Sequence, residues 1–344
     1  MASLPRRALL ISGGALALIG CRRARSTTVA PSITPPFDMA RLNREVGAIA
    51  RRLEPGVLGA GLMNLESSEV FTWRGDRRFP LQSVFKAPLA AAALAEIDAG
   101  RLSLDERFTL KDMDLSPPWS PIADAWPARR DYTTADLLHA AVAISDNTAA
   151  DVLMARIGGP GAVTAWLVSK RIEEIRVDRY EREVQAEILG VGPFRPEWKG
   201  EAAFGAAQLA VSPADLQRAM AAYQADPRDT ATPEGMLTFL DALLDGALLS
   251  PASTRRLLAL MSAALTGGRR ILAGLPKGSA LAHKTGTGPA RLGVSSAIND
   301  AGIVTLPDKR MYCMEVFVAR APLSPEACED AIAQVTRAFI RGLG

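Results

Sequence analysis

The sequence predicts an α+β fold in which one sheet is built from both ends of the folded part and a mainly helical region is inserted between them. Strand-like runs occupy 57–65 and 70–73, and they return only from position 280 onward. The long stretch between them has the caps and the apolar spacing of helices. Strands from distant segments that share one sheet leave a cleft where the inserted helices join it.

The first predicted element is a helix over 39–53, with Leu42, Val46, Ile49 and Leu53 on one side. The runs 57–65 and 70–73 read as paired strands across the turn at 66–68. An alanine-rich helix follows over 83–99 and is stopped by Gly100.

The middle and the C-terminal part complete the pattern. Further helices are predicted at 134–144, 147–157 and 161–170, strands at 280–284, 295–306 and 311–319, and a last helix at 324–343. We therefore expect one domain over 39–344, with an α/β part at about 39–82 and 276–344 and a helical part at about 83–275.

The N-terminus resembles an export signal. Arg6 and Arg7 precede a largely apolar run over 8–20 that is too short for a permanent membrane span. The run ends in a lipobox-like Leu-Ile-Gly before Cys21, which predicts a signal peptide over 1–20, lipidation of Cys21 and a flexible tether over 21–38. Plain signal cleavage with an incidental Cys21 is the alternative, and both general and twin-arginine export fit. Either route predicts an exported, periplasmic protein.

Composition excludes several classes of function. Hydrophobic residues make up 48% and charged residues 22%, as in an ordinary globular protein, and the formal net charge is +3. This charge is too balanced for a nucleic-acid partner. His139 and His283 lie far apart in sequence and few cysteines are present, so no metal and no cofactor is expected. We expect a monomer whose contact with a membrane is limited to its signal or lipid anchor.

Two cysteines, Cys313 and Cys328, remain in the predicted domain. In an exported protein they either form a disulfide between a strand and the last helix or stay as two buried thiols. Spacing alone does not decide between the two.

Three short motifs carry candidate chemistry. In the first, Ser83 and Lys86 are three residues apart, so a helix beginning at the serine would project the lysine from the same face. An amine beside a serine hydroxyl can accept its proton or poise it for attack. Alone, this pair is also what a capped surface helix contains.

The second motif is Ser145-Asp146-Asn147, between two predicted helices, where the same residue types commonly serve as helix caps. The third is Lys284-Thr285-Gly286 on a predicted strand. There the glycine would let a ligand lie close to the strand edge, although an edge strand that ends in a turn has the same pattern.

The three motifs in this order resemble those of class A β-lactamases and penicillin-binding proteins. The resemblance covers the chain from about residue 41 and implies the fold of that superfamily, with an antiparallel sheet flanked by helices. Val177-Asp178-Arg179-Tyr180-Glu181 is similar to the start of the class A Ω-loop, whose glutamate positions the hydrolytic water. Further positions are similar to the subgroup with extended-spectrum cephalosporin hydrolysers: Gln82, His283, Asn299 and Asp300.

The resemblance implies hydrolysis of the β-lactam amide bond through an acyl-enzyme on Ser83, with the β-lactam as partner. Lys86 would assist the nucleophile, Ser145 would pass a proton to the leaving nitrogen, and Glu181 would activate the deacylating water. The implied substrate-binding residues are Asn147, Lys284, Thr285, Thr287, Gln185 and Arg291. Backbone N–H groups of Ser83 and Thr287 would form the oxyanion hole.

Two departures from the family fall where deacylation occurs. The family usually has Asn four residues after the glutamate, whereas this chain has Gln185, which is one methylene longer. The segment 189–228 is an insertion that would either cover the cleft or decorate the surface.

Two other functions are compatible with the motifs. A penicillin-binding D-Ala-D-Ala carboxypeptidase shares the acylation residues but lacks the glutamate that speeds deacylation. A non-enzymatic cell-wall-binding lipoprotein would keep only the cleft. Glu181 argues against the first and the intact Ser83, Lys86, Ser145 and Lys284 against the second.

Overall fold

The computed structural model describes residues 35–116, 118–198 and 201–344; the predicted signal peptide and Cys21 lie outside them. The helices are α1 (Met39–Arg52), α2 (Lys86–Asp98), α3 (Pro121–Ala125), α4 (Thr134–His139), α5 (Asn147–Arg156), α6 (Pro160–Ser169), α7 (Glu181–Ile188), α8 (Glu201–Leu209), α9 (Pro213–Ala225), α10 (Pro233–Leu244), α11 (Pro251–Ser262), α12 (Ile271–Gly274) and α13 (Pro325–Gly342). The strands are β1 (Val57–Asn64), β2 (Val70–Trp73), β3 (Phe79–Pro80), β4 (Arg107–Thr109), β5 (Asp131–Thr133), β6 (Thr230–Ala231), β7 (Ala280–Thr287), β8 (Ala290–Arg291), β9 (Val294–Thr305) and β10 (Met311–Ala321).

The main sheet joins the two ends of the described chain. Its strand order is β2-β1-β10-β9-β7, with β8 paired to β9, and every pairing is antiparallel. Strand β1 pairs with β10 from Val57 opposite Ala319 to Asn64 opposite Tyr312. Strand β7, which contains the third motif, therefore lies at one edge of the sheet.

Each face of the sheet packs against its own helices. Along β10, Phe317 belongs to a core shared with Leu89 of α2 and Leu237 of α10. The adjacent residue Val316 belongs to a second core, which also contains Leu42 of α1 and several residues of α13. Because successive side chains of a strand point to opposite faces, the sheet separates the inserted helices from α1 and α13.

The two cysteines are free and buried. Cys313 belongs to the core on the α2 side of the sheet, and Cys328 to the core on the α13 side. The sheet thus lies between the two thiols. Of the two outcomes that the sequence left open, the structure has the free thiols.

Most helix starts follow from side-chain caps. Asp38 accepts a hydrogen bond from the Arg41 backbone N–H at 2.9 Å and starts α1, and Ser324 accepts one from Ala327 at 3.3 Å and starts α13. The described part contains no single helix that is long and apolar enough to cross a membrane. One bent pair, α5 with α6, passes that test jointly by length and composition.

Two predicted helices differ from the structure beside the candidate motifs. The helix predicted over 83–99 begins as a 3₁₀ turn, Gln82–Phe85, and becomes α2 only at Lys86. The helix predicted over 134–144 is an α-helix only as far as His139, where α4 ends, and it continues as a wider π turn, Ala140–Ile144. Tight and wide turns of this kind recur at functional sites because they redirect the chain within one residue.

The insertion 189–228 is largely helical where it is described. It contains a 3₁₀ turn, Pro196–Trp198, followed by α8 and α9. Ser212 caps α9 by accepting a hydrogen bond from Asp215 at 3.1 Å, and Pro213 occupies the first turn. The insertion is therefore a folded element that packs on the domain.

Candidate active site

Ser83 lies on the 3₁₀ turn that leads into α2. Gln82 before it has a positive φ of 47°, which turns the chain sharply ahead of the serine. Lys86 follows as the first residue of α2 and is fully buried. Its Nζ donates a hydrogen bond to Ser83 Oγ at 3.0 Å. The first motif is thus a serine–lysine pair in contact.

The turn that carries Ser83 is packed tightly against the sheet. Asn299 Nδ2 on β9 donates to the Pro80 carbonyl at 2.7 Å and to the Leu81 carbonyl at 3.1 Å. A Cβ at Gly286 on β7 would overlap the Leu81 carbonyl oxygen. The missing side chain at this glycine of the third motif therefore makes room for the Leu81 backbone, whereas the sequence predicted that it makes room for a ligand.

The second motif reaches the same lysine from the opposite side. Ser145 follows the π turn in a left-handed conformation with a φ of 68°, and α5 begins at Asn147. The Ser145 carbonyl and Asn147 Oδ1 accept hydrogen bonds from Lys86 Nζ at 2.8 and 2.6 Å. Asp146 is buried and caps α5 through the Ala149 N–H at 2.8 Å. One residue of this motif is thus a helix cap, and its two neighbours line the site.

Lys284 comes from the edge strand β7. Its Nζ donates to Ser145 Oγ and to the Thr285 carbonyl, both at 2.9 Å. The side chain is buried, and burial, together with the nearby positive charges of Lys86 and Arg270, lowers the pKa of the Lys284 amine well below its ordinary value. Ser145 Oγ thus receives a hydrogen bond from an amine that gives up its proton more readily than an ordinary lysine.

Glu181 is the first residue of α7 and is almost completely buried. Its Oε1 lies 3.0 Å from Lys86 Nζ and accepts a hydrogen bond from Ser83 Oγ at 3.2 Å. Gln185 Nε2, one turn further, donates to Oε2 at 3.0 Å. Burial alone would raise the pKa of Glu181, but the Lys86 charge and the donated hydrogen bonds outweigh it and the pKa is lowered. A buried, ionised carboxylate therefore lies beside the serine hydroxyl.

The loop around Glu181 is held by buried ion pairs. Asp151 on α5 accepts from the Glu181 N–H at 2.7 Å and from Arg182 Nε at 3.1 Å. At the base of the loop, Arg179 Nε donates to Asp229 Oδ2 at 2.6 Å. Removing one member of a buried pair leaves an uncompensated charge, so these contacts strongly favour the observed position of Glu181.

The side chains of the motifs line a cleft of about 200 Å³. Its lining residues are Ser83, Pro118, Trp119, Ser145, Asn147, Gln185, Thr266, Thr285 and Thr287. A larger and more apolar cavity of about 630 Å³ is lined mainly by α9 and the β8–β9 hairpin and contains none of these residues. Because the smaller cleft is lined by Ser83, Ser145 and Asn147 and the larger one by none of them, we place the chemistry in the smaller cleft.

Several residues that line or adjoin the cleft were not predicted from the sequence, among them Arg270, Thr266 and Trp119. Arg270 is buried, and its Nη2 donates to Thr287 Oγ1 at 2.7 Å. Thr266 and Thr285 share a hydrogen bond of 2.6 Å between their hydroxyls, and Trp119 stands exposed at the mouth. None of them belongs to a recognisable motif, and each reaches the cleft only through tertiary packing, so the sequence contains no signal for them.

Arg291 is the one predicted cleft residue that the structure does not bring there. It is exposed on β8, and its Nη2 donates to Gln208 of α8 at 3.1 Å. The Arg291 guanidinium, which was expected to bind a substrate carboxylate, therefore hydrogen-bonds a residue of the insertion instead. Arg270 supplies a positive charge at Thr287 in its place.

No group of three His, Cys, Asp or Glu side chains that could hold a metal ion occurs among the residues that the structure describes. His283 instead hydrogen-bonds Asp300 on β9, with 2.7 Å between Nδ1 and Oδ1.

Fold and site together have the arrangement of active-site serine hydrolases with a serine–lysine pair. The chain belongs to the β-lactamase enzyme family, whose model matches residues 41–343. The family and the fold class predicted from the sequence are confirmed by this match and by the relatives.

Known relatives extend over nearly the whole chain. Beta-lactamase VEB-1 of Pseudomonas aeruginosa is 29% identical over 283 residues, which cover 81% of this chain and 83% of that protein. Carbapenem-hydrolyzing beta-lactamase KPC of Klebsiella oxytoca is 29% identical over 344 residues, which cover 99% of this chain and 98% of that protein.

Solved structures show the same likeness. A β-lactamase from Chitinophaga pinensis superposes with a TM-score of 0.72 at 30% identity, covering 87% of this chain and 97% of that one. The class A β-lactamase of the last common ancestor of Gram-negative bacteria superposes with a TM-score of 0.71 at 33% identity, covering 87% and 98%.

Proposed function

We propose that this chain hydrolyses the β-lactam amide bond of penicillin- and cephalosporin-type antibiotics through an acyl-enzyme on Ser83, with Glu181 as the base for deacylation. Hydrolysis of β-lactams is the activity of the family to which the chain belongs. The observation that carries the residue assignment is the contact of Ser83 Oγ with both Lys86 Nζ and Glu181 Oε1, at 3.0 and 3.2 Å.

Acylation begins with attack of Ser83 Oγ on the lactam carbonyl carbon. The hydroxyl proton passes to the Glu181–Lys86 pair, since Ser83 Oγ already donates to Glu181 Oε1. The C–N bond then breaks, and Ser145 passes its proton to the leaving nitrogen while the Lys284 ammonium, which donates to Ser145 Oγ, replaces that proton. The backbone N–H groups of Ser83 and Thr287 form the oxyanion hole, where one donor is worth about 3 kcal/mol in the transition state.

Substrate binding uses the edge of β7 and the second motif. Lys284, Thr285 and Thr287 bind the substrate carboxylate, and Arg270 adds a second positive charge through its contact with Thr287. Asn147, whose amide nitrogen already donates to the Pro118 carbonyl at 2.5 Å, hydrogen-bonds the substrate side-chain amide.

Deacylation requires a water held between the ester and the Glu181 carboxylate. Before this step the Glu181–Lys86 pair releases the proton that it took from Ser83, and Lys284 regains a proton, both by exchange with solvent, so Glu181 is again ionised. The carboxylate then removes a proton from the water, and the water oxygen attacks the ester carbon. The bond from this carbon to Ser83 Oγ breaks, and Ser83 Oγ takes the proton back from Glu181. Gln185 holds the same carboxylate through Nε2 and lines the cleft, which fits it to bind this water despite its extra methylene.

A chromogenic cephalosporin and a fluorescent penicillin test the assignment. We expect the wild-type domain to turn over the cephalosporin steadily without a lasting label. Ser83→Ala should lose both turnover and label, with turnover falling by a factor on the order of 10⁴ or more. The matched control is Ser67→Ala, at an exposed serine on the turn between β1 and β2.

The alternatives give different signals. A lasting wild-type label without turnover would identify a penicillin-binding peptidase, and neither signal would identify a cell-wall-binding lipoprotein. Turnover that survives in Ser83→Ala would remove Ser83 from the mechanism.

We also propose export to the periplasm, with a signal peptide over 1–20, a lipid on Cys21, a tether over 21–38 and a monomeric catalytic domain over 39–344. The basic-apolar-cysteine pattern supports this assignment. Cys21→Ala should abolish incorporation of labelled palmitate and release the protein from membranes. Unchanged labelling would contradict the lipid anchor.

A further inference from the structure

We propose that Tyr223, on helix α9 of the insertion, is a positioning residue for deacylation that acts through Gln82 and Gln185 on Glu181. The inference rests on the proposed role of Glu181 as the base. It assigns a function to the insertion, which no motif in the sequence explains.

A chain of hydrogen bonds connects α9 to the base. Gln82 Nε2 donates to Tyr223 Oη. Gln185 Nε2 donates to Gln82 Oε1 at 3.4 Å and to Glu181 Oε2 at 3.0 Å. The side chains of all four residues are buried, so water does not compete freely for these hydrogen bonds.

The Glu181 carboxylate sets the direction of this chain, because an ionised carboxylate can only accept hydrogen bonds. Gln185 therefore turns its amide nitrogen towards Glu181 Oε2, and the same nitrogen donates to Gln82 Oε1. The Gln82 amide nitrogen then faces Tyr223 Oη, which accepts from it. If Gln82 turned over, two amide NH₂ groups would face each other and the Gln185 contact would be lost. Tyr223 is thus the last acceptor of the chain and holds the Gln82 amide in the position that supports Gln185.

The aromatic ring of Tyr223 supports the same helix that carries the base. It forms a small buried cluster with Val184 and Ile188, both on α7. Helix α7 begins at Glu181 and includes Gln185. Ring and hydroxyl therefore act on the base by two routes, one through packing and one through hydrogen bonds.

Helix α9 is also fixed to the main sheet. Gln224, next to Tyr223, donates through Nε2 to the Ser296 carbonyl on β9 at 2.7 Å. Burial raises the pKa of the Tyr223 phenol, so the hydroxyl is neutral at physiological pH. The neutral hydroxyl lies on a helix that packs against both α7 and the main sheet. It is therefore well placed to fix the end of the hydrogen-bonded chain formed by Gln82 and Gln185.

The longer side chain of Gln185 explains why such support is useful. Gln has one more rotatable bond than Asn, and fixing it costs additional side-chain entropy. The Gln82 oxygen gives the amide a second partner beyond the carboxylate and reduces the number of rotamers it samples. Loss of the support should leave the carboxylate charged but less well aimed at its water.

Tyr223→Phe removes the hydroxyl and keeps the ring. We expect the decay rate of the acyl-enzyme, followed by mass spectrometry after quenching, to fall about fivefold, which corresponds to about 1 kcal/mol. Because acylation is unaffected, kcat/KM should stay within about twofold while kcat and KM fall together. The matched control is Tyr132→Phe, a buried tyrosine on β5 outside the amide chain, which should leave both parameters unchanged.

A second variant tests the route through Gln82. Gln82→Met keeps the side-chain length but has no amide, and it should slow deacylation as Tyr223→Phe does. Since both changes cut one chain, the double variant should be little slower than either single variant. Additive effects would show that Tyr223 does not act through Gln82 and would overturn the route.

Three outcomes separate this inference from the proposed function. Unchanged acyl-enzyme decay in Tyr223→Phe overturns the inference alone, provided that the wild type deacylates and Glu181→Ala does not. A fall in kcat/KM while the decay rate of the acyl-enzyme stays at the wild-type value would place the effect of Tyr223 before deacylation and would also overturn it. Normal deacylation in Glu181→Ala would refute the proposed base itself.

Discussion

At the scale of single residues, two buried lysines flank Ser145 and have different partners. Lys86 Nζ contacts Ser83, Asn147 and Glu181, so its charge is balanced by a carboxylate 3.0 Å away. Lys284 Nζ contacts Ser145 Oγ and a backbone carbonyl, with no carboxylate among its hydrogen-bond partners in the described chain. Burial without such a partner lowers the pKa of Lys284.

The lowered pKa of Lys284 predicts an alkaline limb in the pH profile of kcat/KM. The ammonium binds the substrate carboxylate and is lost at a pH below the ordinary lysine pKa of about 10.4. In Lys284→Arg the guanidinium stays protonated, so the limb should move upward by about one pH unit or more. The plateau of kcat/KM should fall, because a guanidinium does not pass a proton to Ser145. Steady-state rates with a penicillin between about pH 6 and about pH 10 measure this.

The comparison variant for that profile is Lys277→Arg, at an exposed lysine before β7, whose limb should match that of the wild type. A limb that stays in place in Lys284→Arg would assign it to another group.

Residue positions were predictable where a motif carried them and were missed where only packing determines them. Ser83, Lys86, Ser145, Asn147 and Lys284 lie together, as the resemblance of their motifs implied. Arg270 reaches Thr287 from the start of the short helix α12, and nothing in its neighbours distinguishes it from Arg269, which is largely exposed. Arg291 was expected at the cleft because of the family resemblance, but its guanidinium hydrogen-bonds Gln208 of α8 instead.

At the scale of elements, periodicity located helices and strands well but not the turns between them. Helix α1 and strand β2 match their predicted ranges to within a residue. The 3₁₀ turn at Ser83 and the π turn before Ser145 were not foreseen, because their apolar spacing over a few residues resembles that of an α-helix. Helices α8 and α9 were left unassigned since the family resemblance does not extend over the insertion.

Strand β10 contains a buried acid that the catalytic mechanism does not use. Both carboxyl oxygens of Glu315 lack a hydrogen-bond partner in the described structure. Gly61 lies opposite on β1, where a Cβ would overlap the Glu315 carboxyl group. Burial raises the pKa of Glu315 well above its ordinary value. The native state therefore favours the protonated acid, and stability is greatest below the unfolded pKa and falls as pH rises towards the folded pKa.

Replacing this acid should stabilise the fold at neutral pH. We expect Glu315→Met to raise the free energy of unfolding at pH 8 by about 1–3 kcal/mol, because it removes an unpaired buried polar group. The gain should shrink at pH 4.5, where the unfolded chain is also partly protonated at this position and folding no longer requires a costly uptake of a proton. Urea unfolding at the two pH values measures the difference, with Glu173→Met as an exposed control.

A loss of stability at pH 8, or a gain that is equal at both pH values, would contradict this account of Glu315.

At the scale of the whole molecule, the site exists because one sheet collects distant segments. Strand β7 supplies Lys284 at the sheet edge, α2 and α5 supply Lys86 and Asn147 from the inserted region, and α7 adds Glu181. The sheet and its inserted helices were predictable from the order of strand and helix patterns. The distances within the site were not, since they depend on how tightly the turn before Ser83 packs on β7 and β9.

The central claim is that Ser83 forms an ester with the substrate and that water hydrolyses this ester only when Glu181 acts as the base. The most direct test is the intact mass of Glu181→Ala after mixing with a penicillin, followed by peptide mapping. The account predicts a lasting mass increase equal to the whole penicillin, located on the peptide that contains Ser83, while the wild type returns to its free mass. Normal turnover by Glu181→Ala, or an adduct on any other residue, would contradict it.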